Sequence, residues 1–186
     1  MTDREALQSL LRRRSIAYGN FVLASGQRSS YYIDARKTTM SAEGLRLIGH
    51  VGLALIRERG WSPAAVGGLT LGADPVAYAI ARASVDATPI VDAFSVRKAA
   101  KEHGTKSRIE GNFDPSQQVV IVEDVITSGA SALQAIDAVR ASGGTVLGVL
   151  AVVDREQGGK EAIERCSVEV VSITTTTKLG ISSNPP

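Results

Sequence analysis

One cysteine, Cys166, is all the chain has, so no internal disulfide can form. No apolar stretch reaches the length needed to span a bilayer, and nothing suggests a membrane partner. Neither sign of charge dominates: 21 Lys and Arg against 19 Asp and Glu leave a net charge of +2, which gives no general argument for a nucleic-acid partner. No internal repeat is evident. Two familiar phosphate motifs are missing as well. No Gly-Lys-Ser/Thr ending follows a strand, as a P-loop needs, and no Gly-x-Gly-x-x-Gly opens a helix, as a dinucleotide fingerprint needs. What remains is an ordinary composition, 44% hydrophobic and 22% charged, in 186 residues that fit one domain with a central sheet and helices on both faces. Residues Met1 to Glu5 are too polar for a secretory signal, and with one cysteine the expected setting is a reducing cytoplasm. Cys166 lies near an apolar strand, where a packing role is expected.

The most informative run is Val119 to Ser131. Four β-branched apolar residues, Val119 to Val122, suit a strand covered on both faces of a parallel sheet. Glu123 and Asp124 follow at its carboxyl end, where open parallel sheets bind ligands and where acids are not needed for packing. Val125 and Ile126 lead into a loop of small and hydroxylated residues, Thr127, Ser128, Gly129, Ala130 and Ser131. Gly129 allows a backbone conformation closed to other residues. From Ala130 onward, Ala132, Leu133, Ile136 and Val139 recur at helical spacing. The N-terminus of that helix offers free N–H groups and a partial positive charge to a phosphate. Acids for ribose hydroxyls beside donors for phosphate can hold a sugar phosphate; a strand–turn–helix whose acids merely face solvent has the same form.

Around this run the chain alternates. Residues 3–17 carry Leu7, Leu10 and Leu11 on one helical face. Phe21 to Leu23 and Tyr31 to Ile33 read as short strands joined by the turn-prone Ser25-Gly26-Gln27. A helical pattern covers 41–59, and a short strand covers Ala64 to Leu69. Asp74 followed by Pro75 reads as an N-cap and first turn. Further strands are expected at Ile90 to Val96, Val146 to Val153 and Val168 to Ile173, and the tail after Gly180 is expected to fray. Strands alternating with helices imply βαβ units and an α/β fold with a central, mainly parallel β-sheet flanked by helices. The first helix and hairpin, about residues 1–40, fall outside the alternation and are expected to cap an α/β core of about 41–180.

Three further stretches carry chemistry. Residues 97–111 hold five Lys or Arg against two Glu and almost nothing apolar. They read either as a solvated loop or as a lid that brings cations to a pyrophosphate. Gly67 to Pro75 places glycines between a strand and a helix, a tight turn or a backbone that approaches a polyanion. Asp154 to Gly159 follows a strand, and the guanidinium of Arg155 suits a planar carboxylate or pyrimidine edge.

The run 119–131 resembles the phosphoribosyl pyrophosphate motif of type I phosphoribosyltransferases. With the lid at 97–111, Arg155 and the stretch Phe21 to Arg36, the chain resembles the orotate phosphoribosyltransferase family from residue 21 to 159. The resemblance implies that family's fold with an N-terminal hood, and transfer of a phosphoribosyl group to orotate. Residues 123–131 would bind phosphoribosyl pyrophosphate, joined by Arg97, Lys98, Lys101 and His103 from the lid. Arg97, Lys101 and His103 would act in catalysis, and His103 is a candidate to protonate the leaving group. Arg155, Thr127 and Tyr32 would meet orotate. In that family some lid residues act in the partner subunit's site, so a homodimer is implied. Mg²⁺ is the implied cofactor, held through substrate oxygens and water rather than by a protein cage. The chain departs from many relatives in having no basic side chain at Thr70 or Leu71, and some relatives carry a lysine where Ala24 stands. A phosphoribosyltransferase for another base, or a regulator that senses phosphoribosyl pyrophosphate and binds RNA or DNA, would share the 119–131 run. Arg155 and the hood argue against the first, and the modest charge and intact lid against the second.

Overall fold

The computed structural model describes residues 1–22, 28–99 and 108–181. Among them a six-stranded sheet runs in the order β5-β4-β3-β6-β7-β8, with strands β3 (Ala65–Leu69), β4 (Asp92–Val96), β5 (Ile109–Gly111), β6 (Gln118–Ile126), β7 (Thr145–Asp154) and β8 (Glu169–Thr175). Every pairing is parallel except that of β5 with β4. Alternation along β6 sorts its side chains to two cores. Val120 and Val122 face the layer built by α1 (Asp3–Arg14), α3 (Ala42–Glu58) and α4 (Ala73–Val85). Val119 and Ile121 face α5 (Ala130–Ala141) and α6 (Gly159–Glu164). A strand covered on both faces needs apolar residues at every position, which is why this run carries no polar alternation.

The N-terminal helix ends earlier than its apolar spacing suggested. A capping box between Thr2 and Glu5 starts α1, three arginines close it, and Ile16 already belongs to a strand. Leu7, Leu10 and Leu11 are fully buried against the same core as α3 and the sheet. The hairpin, β1 (Ile16–Val22) with β2 (Arg28–Ile33), forms its own two-stranded antiparallel sheet, and its expected turn lies outside the described residues. A four-residue helix, α2 (Arg36–Thr39), links it to α3.

Several expectations need correction. Asp74 does not cap α4: the cap position is Gly72, and Asp74 sits inside the first turn, where it accepts a hydrogen bond from Ser95 Oγ at 2.7 Å. Ile90 is exposed and precedes β4 rather than joining it. Cys166 is an exposed thiol in the turn after α6, because the strand it was read against begins only at Glu169. Ile181, assigned to a frayed tail, is packed into the core, with its N–H donating to Thr176 O at 3.0 Å. Residues 182–186 lie outside the described residues. No described helix is long and apolar enough to cross a membrane.

Candidate active site

Strand β6 does not end at its acids. Its ladder with β7 continues through Glu123 opposite Ala151 and on to Ile126 opposite Asp154. This draws Glu123 into the sheet, where it is only 5% exposed and its Oε1 has no hydrogen-bond partner among the described residues. Burial pushes the Glu123 carboxyl up to about 8, and the neighbouring Asp124 charge adds to the shift. Asp124 is also raised by burial, against the pull of the Val125 N–H that donates to its Oδ1 at 2.8 Å and of the nearby Arg36. The two acids thus differ: one is a near-neutral buried group, the other is partly compensated.

Beyond them, Thr127, Ser128 and Ser131 are exposed at the mouth of α5. Gly129 has φ +81°, the left-handed conformation its residue type allows, and no side chain caps the helix. The first-turn N–H groups therefore have no side-chain acceptor, as an anion site requires. A hollow of about 100 Å³ lies here, lined by Glu123 and residues 125–132. The loop is backed closely by α6: a Cβ placed on Gly129 would come 2.7 Å from the carbonyl oxygen of Gly159.

A larger cleft of about 340 Å³ adjoins it. It is lined by Glu123, Asp124, Val125, Thr127 and Ser131, by Arg155 and Tyr32, and by Leu69 to Gly72 with Lys98. Arg155 sits just past β7, with its N–H donating to Ile126 O at 2.9 Å. Its turn is well tied. The Glu156 N–H donates to Asp154 Oδ1, and Glu156 Oε2 accepts from Thr176 Oγ1 and the Thr177 N–H. The Thr177 hydrogen bond, followed by that from Thr176, holds the Glu156 carboxyl below its ordinary range. The Arg155 guanidinium lies 5.4 Å from the centroid of the buried Tyr31 ring, yet its Nε and Nη2 are buried without an acceptor among the described residues. Tyr32 is 41% exposed, with its ring 5.7 Å from that of Phe21, so it both packs the hairpin and borders the cleft.

The glycines of the 67–75 stretch have two different jobs. Gly67 and Gly68 are fully inside β3, and a Cβ on Gly68 would come 2.7 Å from that of Ala73; they permit close packing rather than anion approach. Only Gly72 faces the cleft, and a Cβ there would stand 2.6 Å from Asp124 Oδ1. Of the lid residues, Lys98 lines the cleft, whereas Arg97 pairs with Glu110 at 3.6 Å. Lys101 and His103 lie outside the described residues. Asp34 and Arg36 also border the cleft. Sequence reasoning gave them no role, although the charged pair directly after the buried Ile33 was a visible signal.

A model of the phosphoribosyl transferase domain matches residues 42–183. The chain is 47% identical over 177 residues to an orotate phosphoribosyltransferase of Aquifex aeolicus, covering 93% of this chain and 95% of that protein. It is 45% identical over 179 residues to the orotate phosphoribosyltransferase of Mycobacterium tuberculosis H37Rv, covering 96% and 97% of the two chains. A crystal structure of that mycobacterial protein in complex with 5-phospho-α-D-ribosyl 1-diphosphate superposes with a TM-score of 0.83 at 41% identity, over 96% of this chain and 99% of that one.

Proposed function

The chain belongs to the phosphoribosyltransferase family, and we infer that it is an orotate phosphoribosyltransferase, transferring the phosphoribosyl group of 5-phospho-α-D-ribose 1-diphosphate to orotate. The products are orotidine 5′-monophosphate and pyrophosphate, in pyrimidine nucleotide synthesis. The observation that carries this reading is the Arg155 guanidinium, which lines the cleft with two buried nitrogens that have no acceptor among the described residues. A planar carboxylate is the ligand such a fork accepts best.

In this reading orotate N1 gives up its proton and bonds to ribose C1, the C1–O bond to pyrophosphate breaks, and the bonding pair leaves with the pyrophosphate, which can take up a proton with His103 as its donor. The ribose ring gains positive charge in the transition state, and the leaving group gains negative charge. Catalysis then rests on positioning and fixed charge. Glu123 and Asp124 hold the ribose 2- and 3-hydroxyls; a near-neutral Glu123 can both donate and accept there. Residues 125–131 hold the 5-phosphate on the α5 N-terminus, with Thr127 also reaching the base. Arg155 and Tyr32 hold orotate. Arg97, Lys98, Lys101 and His103 serve the pyrophosphate, Lys98 from the same chain's cleft and some of the others from the neighbouring protomer of a homodimer. We take residues 1–186 as one domain, the hood being about residues 1–40.

Mg²⁺ belongs to the proposal. No group of three or more His, Cys, Asp or Glu side chains that could hold a metal exists among the described residues. The ion would be held mainly through substrate oxygens and its own waters, with Glu123 and Asp124, inside β6, acting on the same ribose hydroxyls. When bound, the ion would supply positive charge to the pyrophosphate. The deciding experiment is consumption of orotate with phosphoribosyl pyrophosphate and Mg²⁺, with uracil, adenine and hypoxanthine as controls. Turnover of another base in preference to orotate overturns the reading.

A further inference from the structure

The loop from Leu69 to Gly72 walls the cleft beside Asp124 yet brings no charge to it. On the present functional reading this wall faces a polyanion. Three acids, Asp34, Glu123 and Asp124, border the same space, and each would repel an anionic ligand when ionised. Lys98 lines the same cleft and Arg155 is assigned to orotate, so a further cation beside Asp124 has to come from the hood.

Arg36 meets the requirement. It opens α2 at the exit of the hairpin, lines the same cleft, and is half exposed. Its Nε donates to Asp34 Oδ1 at 3.0 Å. That bond fixes the plane of the guanidinium and leaves both terminal nitrogens without a hydrogen bond among the described residues. A guanidinium held by one edge is prepared to fork onto a phosphate with the other. Its location is tied to the loop through Asp124, which stands against Gly72 and feels the Arg36 charge.

We propose that Arg36 contacts the pyrophosphate of the phosphoribosyl donor, supplying from the hood the cation that the Leu69–Gly72 loop does not carry, with Asp34 as its positioning residue. The inference rests on the function proposed above, and the test separates the two. Arg36→Ala and Arg36→Lys are compared with the unmodified protein in steady-state kinetics. Direct binding of Mg²⁺-pyrophosphate and of ribose 5-phosphate is measured separately by calorimetry. Thermal melting controls for folding, which an exposed ion pair affects little.

With Arg36→Ala, pyrophosphate affinity should fall, and KM for phosphoribosyl pyrophosphate rise, by about tenfold, the scale of one charge-assisted hydrogen bond. KM for orotate and affinity for ribose 5-phosphate should hold, and Arg36→Lys should recover part of the loss. Unchanged pyrophosphate binding overturns the proposal. So does an equal loss for ribose 5-phosphate, which would mean that Arg36 acts only through Asp124. If the unmodified protein does not use orotate but Arg36→Ala still weakens pyrophosphate binding, the functional reading fails and the assignment of Arg36 stands.

Discussion

Glu123 is an acid placed where β-sheet packing wants an apolar residue, and its chemistry follows from that. Its carboxyl is pushed up to about 8 from its ordinary 4.5, so between those values the folded state holds a proton that the unfolded chain has lost. The favourable contribution of the neutral group is complete below 4.5 and is lost as pH rises to about 8. Glu123→Gln should remove that slope, roughly 1.4 kcal/mol per pH unit for one full proton. Urea unfolding of both proteins across this range measures it, and parallel curves would show that Glu123 titrates normally. Arg155 is the opposite case, a permanent charge that cannot neutralise itself. Arg155→Ala should lower kcat/KM for orotate by at least about tenfold, as expected for a lost hydrogen bond to a charged group, while KM for phosphoribosyl pyrophosphate changes much less. Orotate kinetics that survive intact would remove Arg155 from base recognition.

At the scale of elements, the joint between β4 and α4 deserves a prediction of its own. Ser95 Oγ donates to Asp74 Oδ1, and Tyr78 Oη lies 3.3 Å from the same hydroxyl. Burial raises the Asp74 carboxyl, and the Ser95 hydrogen bond partly restrains it. Ser95→Ala should cost about 1–3 kcal/mol, the penalty of a buried acceptor left without its donor, seen as a lower denaturant midpoint. This contact also shows what the sequence can hide. Asp74-Pro75 has the form of a helix start, but the partner of Asp74 lies 21 residues away on another strand, beyond any local pattern. The β6–α5 unit was readable because four β-branched residues, a left-handed glycine and a helical repeat agree along 20 residues of chain. That Glu123 lies within the strand was not readable, since its burial depends on how far β7 extends alongside. β5 has one clearly apolar residue in three and is a strand only because β4 offers it an edge. Arg155 could be singled out through resemblance, but its place over Tyr31 joins β7 to the hairpin across the molecule and leaves no mark in spacing.

For the whole molecule, the proposed homodimer makes a distinctive expectation. If Lys101 serves the neighbour's site, then Lys101→Ala and Arg155→Ala protomers mixed under subunit exchange should recover activity that neither variant has alone, because one site of the hybrid carries both defects and the other none. No recovery, with hybrid formation verified by mass, would confine each site to one chain. A last consequence concerns how such a molecule can diversify. The Gly129–Gly159 approach seats the segment following Arg155 directly against the phosphate loop. Gly159 is thus held against that loop, whereas Glu156, Gln157 and Gly158 are exposed and a Cβ on Gly158 would meet nothing within 4 Å. The segment after Arg155 can therefore vary by side-chain exchange or by lengthening toward solvent at 156–158, provided the seat of Gly159 against Gly129 is kept.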